Sequence, residues 1–347
     1  MKPTDNLKDL LKDLETPMQE KEIKVEDPLG FQAALNKIIL RFGEELRNNS
    51  KVKTHNYLQK LVNEFSGLGI TKTTVYAFLS YFPAYAQKNI PENIISYTTS
   101  VFLTALVQVA YNRGDNNFVL DLPEAFVNNN KPPITFIEQG STYILRTMRT
   151  SPKLDDLCHW LAGKPERKLA ATIYGDVGTS FGAHTEHCSL KLYGPSEFNC
   201  GFGAKHSDIY VEGNTGNNFG VFAEHSNLEI VGNVGGGCFD SMKDSVAKIK
   251  GNCDGCGDSA ERSTITVDGD VTLRVGASAK DCTFILLGDI GTDPRRNETP
   301  IYGQVYVIQD QQGMGAERTV FRARKQATLD KLLANKAACE YQLTEAA

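Results

Sequence analysis

Residues 209–232 read IYVEGNTGNNFGVFAEHSNLEIVG, and Gly213 and Gly232 within them stand 19 positions apart. They belong to a series. Gly175, Gly194, Gly213, Gly232, Gly251, Gly269 and Gly288 are separated by 19, 19, 19, 19, 18 and 19 residues. A fixed period near 20 marks a stacked solenoid, in which each repeat buries its apolar face only against its neighbours.

Aligned on these glycines, the repeats resolve into columns. Two positions before each glycine stand Ile173, Leu192, Val211, Ile230, Ile249, Val267 and Leu286; four before stand Ala171, Leu190, Ile209, Leu228, Ala247, Ile265 and Phe284. Two apolar columns two residues apart form the inward face of a short strand, with Lys191, Tyr210, Glu229, Lys248 and Thr266 between them pointing out. After the glycine comes an Asx column, Asp176, Asn214, Asn233, Asn252, Asp270 and Asp289, with Pro195 the exception. Such side chains bond turn backbone and stack into amide ladders.

Two more inward columns follow. Val177, Thr215, Val234, Cys253, Val271 and Ile290 fill the first, and Phe181, Cys200, Phe219, Cys238, Cys256 and Val275 the second. The 18-residue interval has lost its residue between Gly251 and Gly257. Further along, Glu186, Lys205, Glu224, Lys243, Glu261 and Lys280 alternate in sign. With coils about 4.8 Å apart, only this alternation turns repulsion into attraction along the ladder. A column of small residues, Cys188, Ser207, Ser226, Ser245, Ser263 and Cys282, closes the coil.

This register, read on Ile209 to Gly220 and on to Leu228, resembles the GXGXG repeat family. That family includes the C-terminal domain of the glutamate synthase large subunit and one of the subunits of formylmethanofuran dehydrogenase. The resemblance covers about 120 of the 347 residues. It implies a right-handed parallel β-helix that scaffolds or connects partner subunits. The sequence departs from the family late in the coil, where Ala and His/Ser stand in place of Met and paired Gly. Nothing in it resembles the family's flavin, iron–sulfur, glutaminase or molybdenum/tungsten domains, so no enzymatic activity is implied.

Outward from the repeat, Leu7, Leu10, Leu11 and Leu14 predict a short amphipathic helix over 5–15, which either joins the helical domain or docks on a partner. Asp27-Pro28 opens a helix carrying Phe31, Leu35, Ile38, Ile39, Phe42 and Leu46. A helix with Leu58, Leu61, Val62 and Phe65 stops near Gly67 and Gly69, and another with Val75, Phe78, Leu79 and Phe82 breaks at Pro83. The helix from about Pro91 to Gly114 is apolar on more than one face and should be central. Phe118 to Leu122 reads as a strand and Leu154 to Leu161, with Trp160, as a short helix; the connector should cover the open end of the solenoid. Val305 to Ile308 reads as a last strand, and residues 317–340 as a basic capping helix with Phe321, Leu329, Leu332 and Leu333 on one side.

The expected architecture is therefore an α+β chain in two parts. A helical bundle (1–115) is followed by a connector and cap (116–168), a parallel β-helix of about seven 19-residue coils (169–310) and a capping helix (311–347). A net charge of −5 gives no electrostatic case for nucleic acid or an anionic membrane. The N-terminal stretch has no signal-peptide core, and the most apolar run, Val101 to Ala110, is half a membrane span. A cytoplasmic protein is expected, with its eight cysteines reduced.

Two sets of residues invite a metal reading. His187, His206 and His225 form a column on successive coils, which continues as Asp244, Arg262 and Asp281. Side chains of a parallel ladder point the same way, so a metal-free corner ladder is preferred over convergence on zinc. Cys253 and Cys256 spell a CxxC, yet both occupy inward columns; buried inert thiols are preferred, with metal binding by the pair and Cys238 as the alternative. No catalytic residues and no cofactor are assigned. The expected role is a non-enzymatic structural or protein-interaction scaffold with protein partners, self-association included. The alternative that the resemblance implies is an accessory subunit of a larger oxidoreductase.

Overall fold

The computed structural model describes residues 28–48, 55–86, 92–122, 137–139, 142–144, 154–291, 319–328, 330 and 340–343. The expected helix over 5–15 and the strand Val305 to Ile308 lie outside them. The chain divides into two compact units: Met1–Cys158 with Leu169–Asp176, and His159–Lys168 with Val177–Ala347.

The first unit holds four helices, α1 (Pro28–Asn48), α2 (His55–Phe65), α3 (Lys72–Ala86) and α4 (Glu92–Asn112). Helix α4 packs against each of the other three and is buried on all faces from Thr98 to Tyr111, as its apolar circumference requires. Phe102 on α4 meets Phe42, Phe65 and Phe78 with ring centroids 5.2, 5.8 and 6.1 Å away, so one aromatic cluster ties the four helices together. Contrary to the break expected at Pro83, α3 continues to Ala86. A proline so close to a helix end removes one backbone hydrogen bond from a turn that is already the last. Strand β1 (Phe118–Asp121) follows α4 and pairs in parallel with β4 (Leu169–Tyr174), Phe118 opposite Ala171. A hairpin of β2 (Ile137–Gln139) and β3 (Thr142–Ile144) lies between them in sequence.

The second unit is a β-solenoid of about six turns, marked by the parallel backbone ladder Glu186, Lys205, Glu224, Lys243, Glu261, Lys280. The seventh glycine-marked strand, β4, groups with the first unit. The main sheet runs β5 (Cys188–Tyr193), β6 (Asp208–Glu212), β7 (Asn227–Val231), β8 (Val246–Ile249), β10 (Thr264–Val267) and β12 (Thr283–Leu286). Each residue faces its counterpart one coil later: Leu190 opposite Ile209, Ile209 opposite Leu228, Leu228 opposite Ala247. Burial alternates along the strands as the columns dictate, and all the inward columns are buried.

The glycine period has a steric cause. A Cβ on Gly213 would lie 2.5 Å from the carbonyl oxygen of Gly194, and a Cβ on Gly232, Gly251, Gly269 or Gly288 would overlap the carbonyl of the glycine one coil earlier. The turn brings successive backbones so close that no side chain fits.

Two further expectations fail. Leu154 to Leu161 is a series of turns, because Asp156, Cys158 and Trp160 all have positive φ, as Ser180, Gly182 and His184 do at the matching corner of the next coil. The segment follows coil geometry, which an α-helix cannot share. At the other end, Val320–Ala323 is strand β13, pairing β12 in parallel, and Glu340–Leu343 is β14, pairing β13. The expected capping helix therefore survives only at Gln326–Thr328 and Asp330 among the described residues. The open edge of β12 presents a full row of backbone donors and acceptors, and β13 satisfies them where a helix could not.

Candidate functional site

The corner that follows the charge ladder carries the histidines. His187, His206 and His225 have φ of 50, 50 and 49°, a left-handed conformation in which Asp244, Arg262 and Asp281 continue the column. His, Asn and Asp tolerate this region better than most residues. The rings stack face to face, with centroids 4.8 and 5.0 Å apart and planes inclined by 11 and 3°. Each ring lies over the next and all point the same way, so their nitrogens do not converge on a common point. Below them Arg262 makes a two-pronged ion pair with Asp244, both contacts 2.7 Å. That pair holds the Asp244 carboxyl below its ordinary pKa.

On the same side of the coil, Lys205 Nζ is 3.0 Å from Glu224 and Lys243 Nζ is 3.6 Å from Glu261. Behind this face runs a hydroxyl ladder that the sequence presents only as small residues. The backbone N–H of Ser207 donates to Ser226 Oγ (3.1 Å), that of Ser226 to Ser245 Oγ (3.0 Å) and that of Ser245 to Ser263 Oγ (3.2 Å). Each hydroxyl in turn donates to the carbonyl two residues before it, as Ser207 does to Lys205 at 2.7 Å. At the last rung the Cys282 N–H donates to Thr319 Oγ1, which places Thr319 in the same column.

The cysteines behave differently from the histidines. Cys238, Cys253 and Cys256 are buried, and their sulfurs all lie within 4.8 Å of one another. Cys238 and Cys256 occupy one inward column on successive coils, joined by a parallel bridge, while Cys253 enters from the adjacent column. In the full-length coils these two columns are four residues apart. The missing residue of the short coil leaves three, straightens Cys253–Cys256 into strand β9, and forces a register shift against β11 (Val271–Val275). The irregularity of the stack thus falls on the cysteines. Hydrogen bonds from Cys238 and Cys256 lower the pKa of Cys253, whereas burial and its bonds to the other two raise that of Cys238. For Cys256, the bond with Cys238 acts downward but is outweighed by the bond with Cys253 and by burial, so its pKa rises.

A chain of rings crosses another corner. His184 lies 6.0 Å from Trp160 and 5.4 Å from Phe202, and Phe202 lies 5.3 Å from Phe222. Burial, with the neighbouring His159 and Lys205, lowers the pKa of His184. Phe222 is 52% exposed and Phe198, elsewhere on the coil surface, 50%. The signal for Phe222 was present in the sequence, because its column otherwise holds His184, Gly203, Ser241, Ser259 and Ser278.

No helix among the described residues is long and apolar enough to cross a membrane. No known protein family, no curated protein and no solved structure matches this chain.

Proposed function

We propose that this chain is a non-enzymatic, cytoplasmic scaffold whose solenoid, a right-handed β-helix of the GXGXG type, presents a surface to a protein partner. In this reading β4 belongs to the glycine-marked repeat, which makes seven coils, and the four helices form a bundle. Right-handedness agrees with the rule for parallel strands joined by crossover connections.

The observation that carries the reading is Phe222. Its side chain is more than half exposed, and its backbone sits at φ 58°, a conformation that costs a bulky residue free energy. Stacking does not require it, since Gly and the Ser residues serve in the same column. A strained, half-exposed aromatic at the end of a chain of rings, in a column that otherwise holds His, Gly and Ser, is explained by a surface that covers it in the assembled state. Phe198 and Phe222 are the exposed aromatic side chains among the large exposed hydrophobics of the described residues.

The test compares affinity purification from the native host using the wild-type chain and F198N/F222G, which installs residues the same columns carry as Asn217 and Gly203. Wild type should recover reproducible partner proteins and the variant should lose them while keeping its melting behaviour. Equal recovery by both, or no reproducible partner, would reject the reading. Recovery of flavin, iron–sulfur or molybdenum/tungsten subunits would narrow it to an accessory subunit of an oxidoreductase.

A further inference from the structure

We infer that Cys238, Cys253 and Cys256 form a three-sulfur site for monovalent copper inside the solenoid. The inference is independent of the scaffold reading.

Three sulfurs that approach from two columns and two coils form a triangle whose edges are at most 4.8 Å. A metal bonded to three thiolates in one plane at about 2.3 Å would need edges of about 4.0 Å, so closure asks for small rotations of the side chains and leaves the backbone in place. The other described inward cysteines do not form such a group. The three come together because the coil that contains Cys253 and Cys256 is one residue short, and this is where the stack departs from its regular register. Packing alone is met elsewhere in the same columns by Val, Ile and Phe without any shortening.

Coordination number and ligand type select the ion. Thiolate sulfur favours copper(I), zinc and iron–sulfur clusters. Iron–sulfur clusters take four cysteines, and structural zinc takes four ligands. Among the described residues no further Cys, and no His, Asp or Glu, joins the group. All three cysteines are buried away from bulk solvent. Three buried sulfurs match a soft monovalent ion that is content with three. On binding, the coordinating thiols lose their protons to solvent, including the Cys238 S–H that donates to the Gly255 carbonyl at 3.1 Å.

Burial also means that the ion enters as the coil forms. The test therefore uses the full chain produced in copper-supplemented cells and purified without oxygen or chelator. One copper per chain should remain after dialysis against a copper(I) chelator, and X-ray absorption should report sulfur neighbours only, three in number. C253V is the decisive variant, because Val234 and Val271 occupy the same column in the coils on either side; it should stay folded by circular dichroism and lose the copper. C200S, at a buried cysteine of the solenoid outside the trio, should retain it. Absence of copper from the wild-type protein, retention of copper by folded C253V, or a copper with nitrogen or oxygen neighbours would each overturn the inference. So would production in zinc-supplemented cells that yields a four-coordinate zinc bound by the same cysteines.

Discussion

Asn214 Oδ1 accepts a hydrogen bond of 2.8 Å from the backbone N–H of Asn233, its counterpart one coil later. The relation repeats: Asn233 accepts from the Asn252 N–H at 2.9 Å, Asn252 from Asp270 at 2.8 Å, and Asp270 from Asp289 at 2.7 Å. The Asx column is thus a ladder of side-chain oxygens that satisfy the turn backbone of the next coil. N233A removes one acceptor and should lower stability by about 0.5–1.5 kcal/mol, while N233D keeps the oxygen and should cost less. Urea titration of both variants decides it; equal losses would show that the oxygen is not what matters.

The alternating ladder predicts a different response. E224K puts three lysine side chains on successive rungs and removes the 3.0 Å contact with Lys205. Both partners are about half exposed, so the loss should be no more than about 1 kcal/mol. Because exposed charges are screened, most of that loss should disappear between low and molar salt. A salt-independent penalty measured by thermal melting would assign the effect to packing.

The glycine column should be far less forgiving. G232A places a methyl group against the Gly213 carbonyl, which is backbone and cannot rotate away. A cost of about 2–3 kcal/mol is expected, at the upper end for an overpacked site. Gly236 is in the same coil, but a Cβ there would meet only the Asp254 Cβ at 3.7 Å, an ordinary contact. G236A should lie within about 0.5 kcal/mol of wild type. Similar melting temperatures for the two variants would show that the turn can relax.

These contrasts explain what could be read from the sequence. The strand columns, the Asx turn and the charge ladder were legible because a stacked coil imposes the same contact at each repeat. The failures occurred where the period was interrupted. Thr319-Val320-Phe321-Arg322-Ala323 continues the pattern of a small hydroxyl residue and alternating apolar positions, yet it follows Cys282 by 37 residues, and the leucines beyond it at helical spacing drew the reading toward a helix. Asp156, Cys158 and Trp160 take positive φ without any glycine to announce it. Among the candidate metal ligands, the columns placed the histidines at a corner and the cysteines in inward positions, and metal-free readings were preferred for both. The convergence itself depended on how the short coil absorbs its missing residue, which spacing alone does not specify.

Alkaline pH probes the closing column. Burial pushes the Cys188 thiol up to about 12 from an ordinary 9.0. The fold prefers the protonated form, so this contribution is intact below pH 9 and is lost as the pH rises toward 12, by up to about 1.4 kcal/mol per unit. Ser is the usual residue of the column, and the Cys188 Sγ already donates to the Glu186 carbonyl at 3.3 Å, as Ser207 does to Lys205. C188S should therefore match wild type near pH 7 and show a shallower fall in stability above pH 9. An unchanged slope in denaturant titrations across that window would remove Cys188 as the cause.

The histidine column offers a test of conformation apart from chemistry. His206 sits between His187 and His225 with ring centroids 4.8 and 5.0 Å away, at φ 50°. Two contributions are entangled there, the stacking of the rings and the left-handed backbone. H206N gives up the stacking but keeps a residue type suited to positive φ, as Asp244 and Asp281 are in the same column. H206V gives up the stacking and adds a β-branched side chain to that backbone. The difference between the two variants isolates the backbone contribution, and H206V should be less stable than H206N by about 1–2 kcal/mol. If instead both fall equally below wild type, the stacked rings are what hold the corner. If H206N equals wild type while H206V falls, the corner selects histidine for its backbone tolerance, and the three rings are a consequence of the coil geometry.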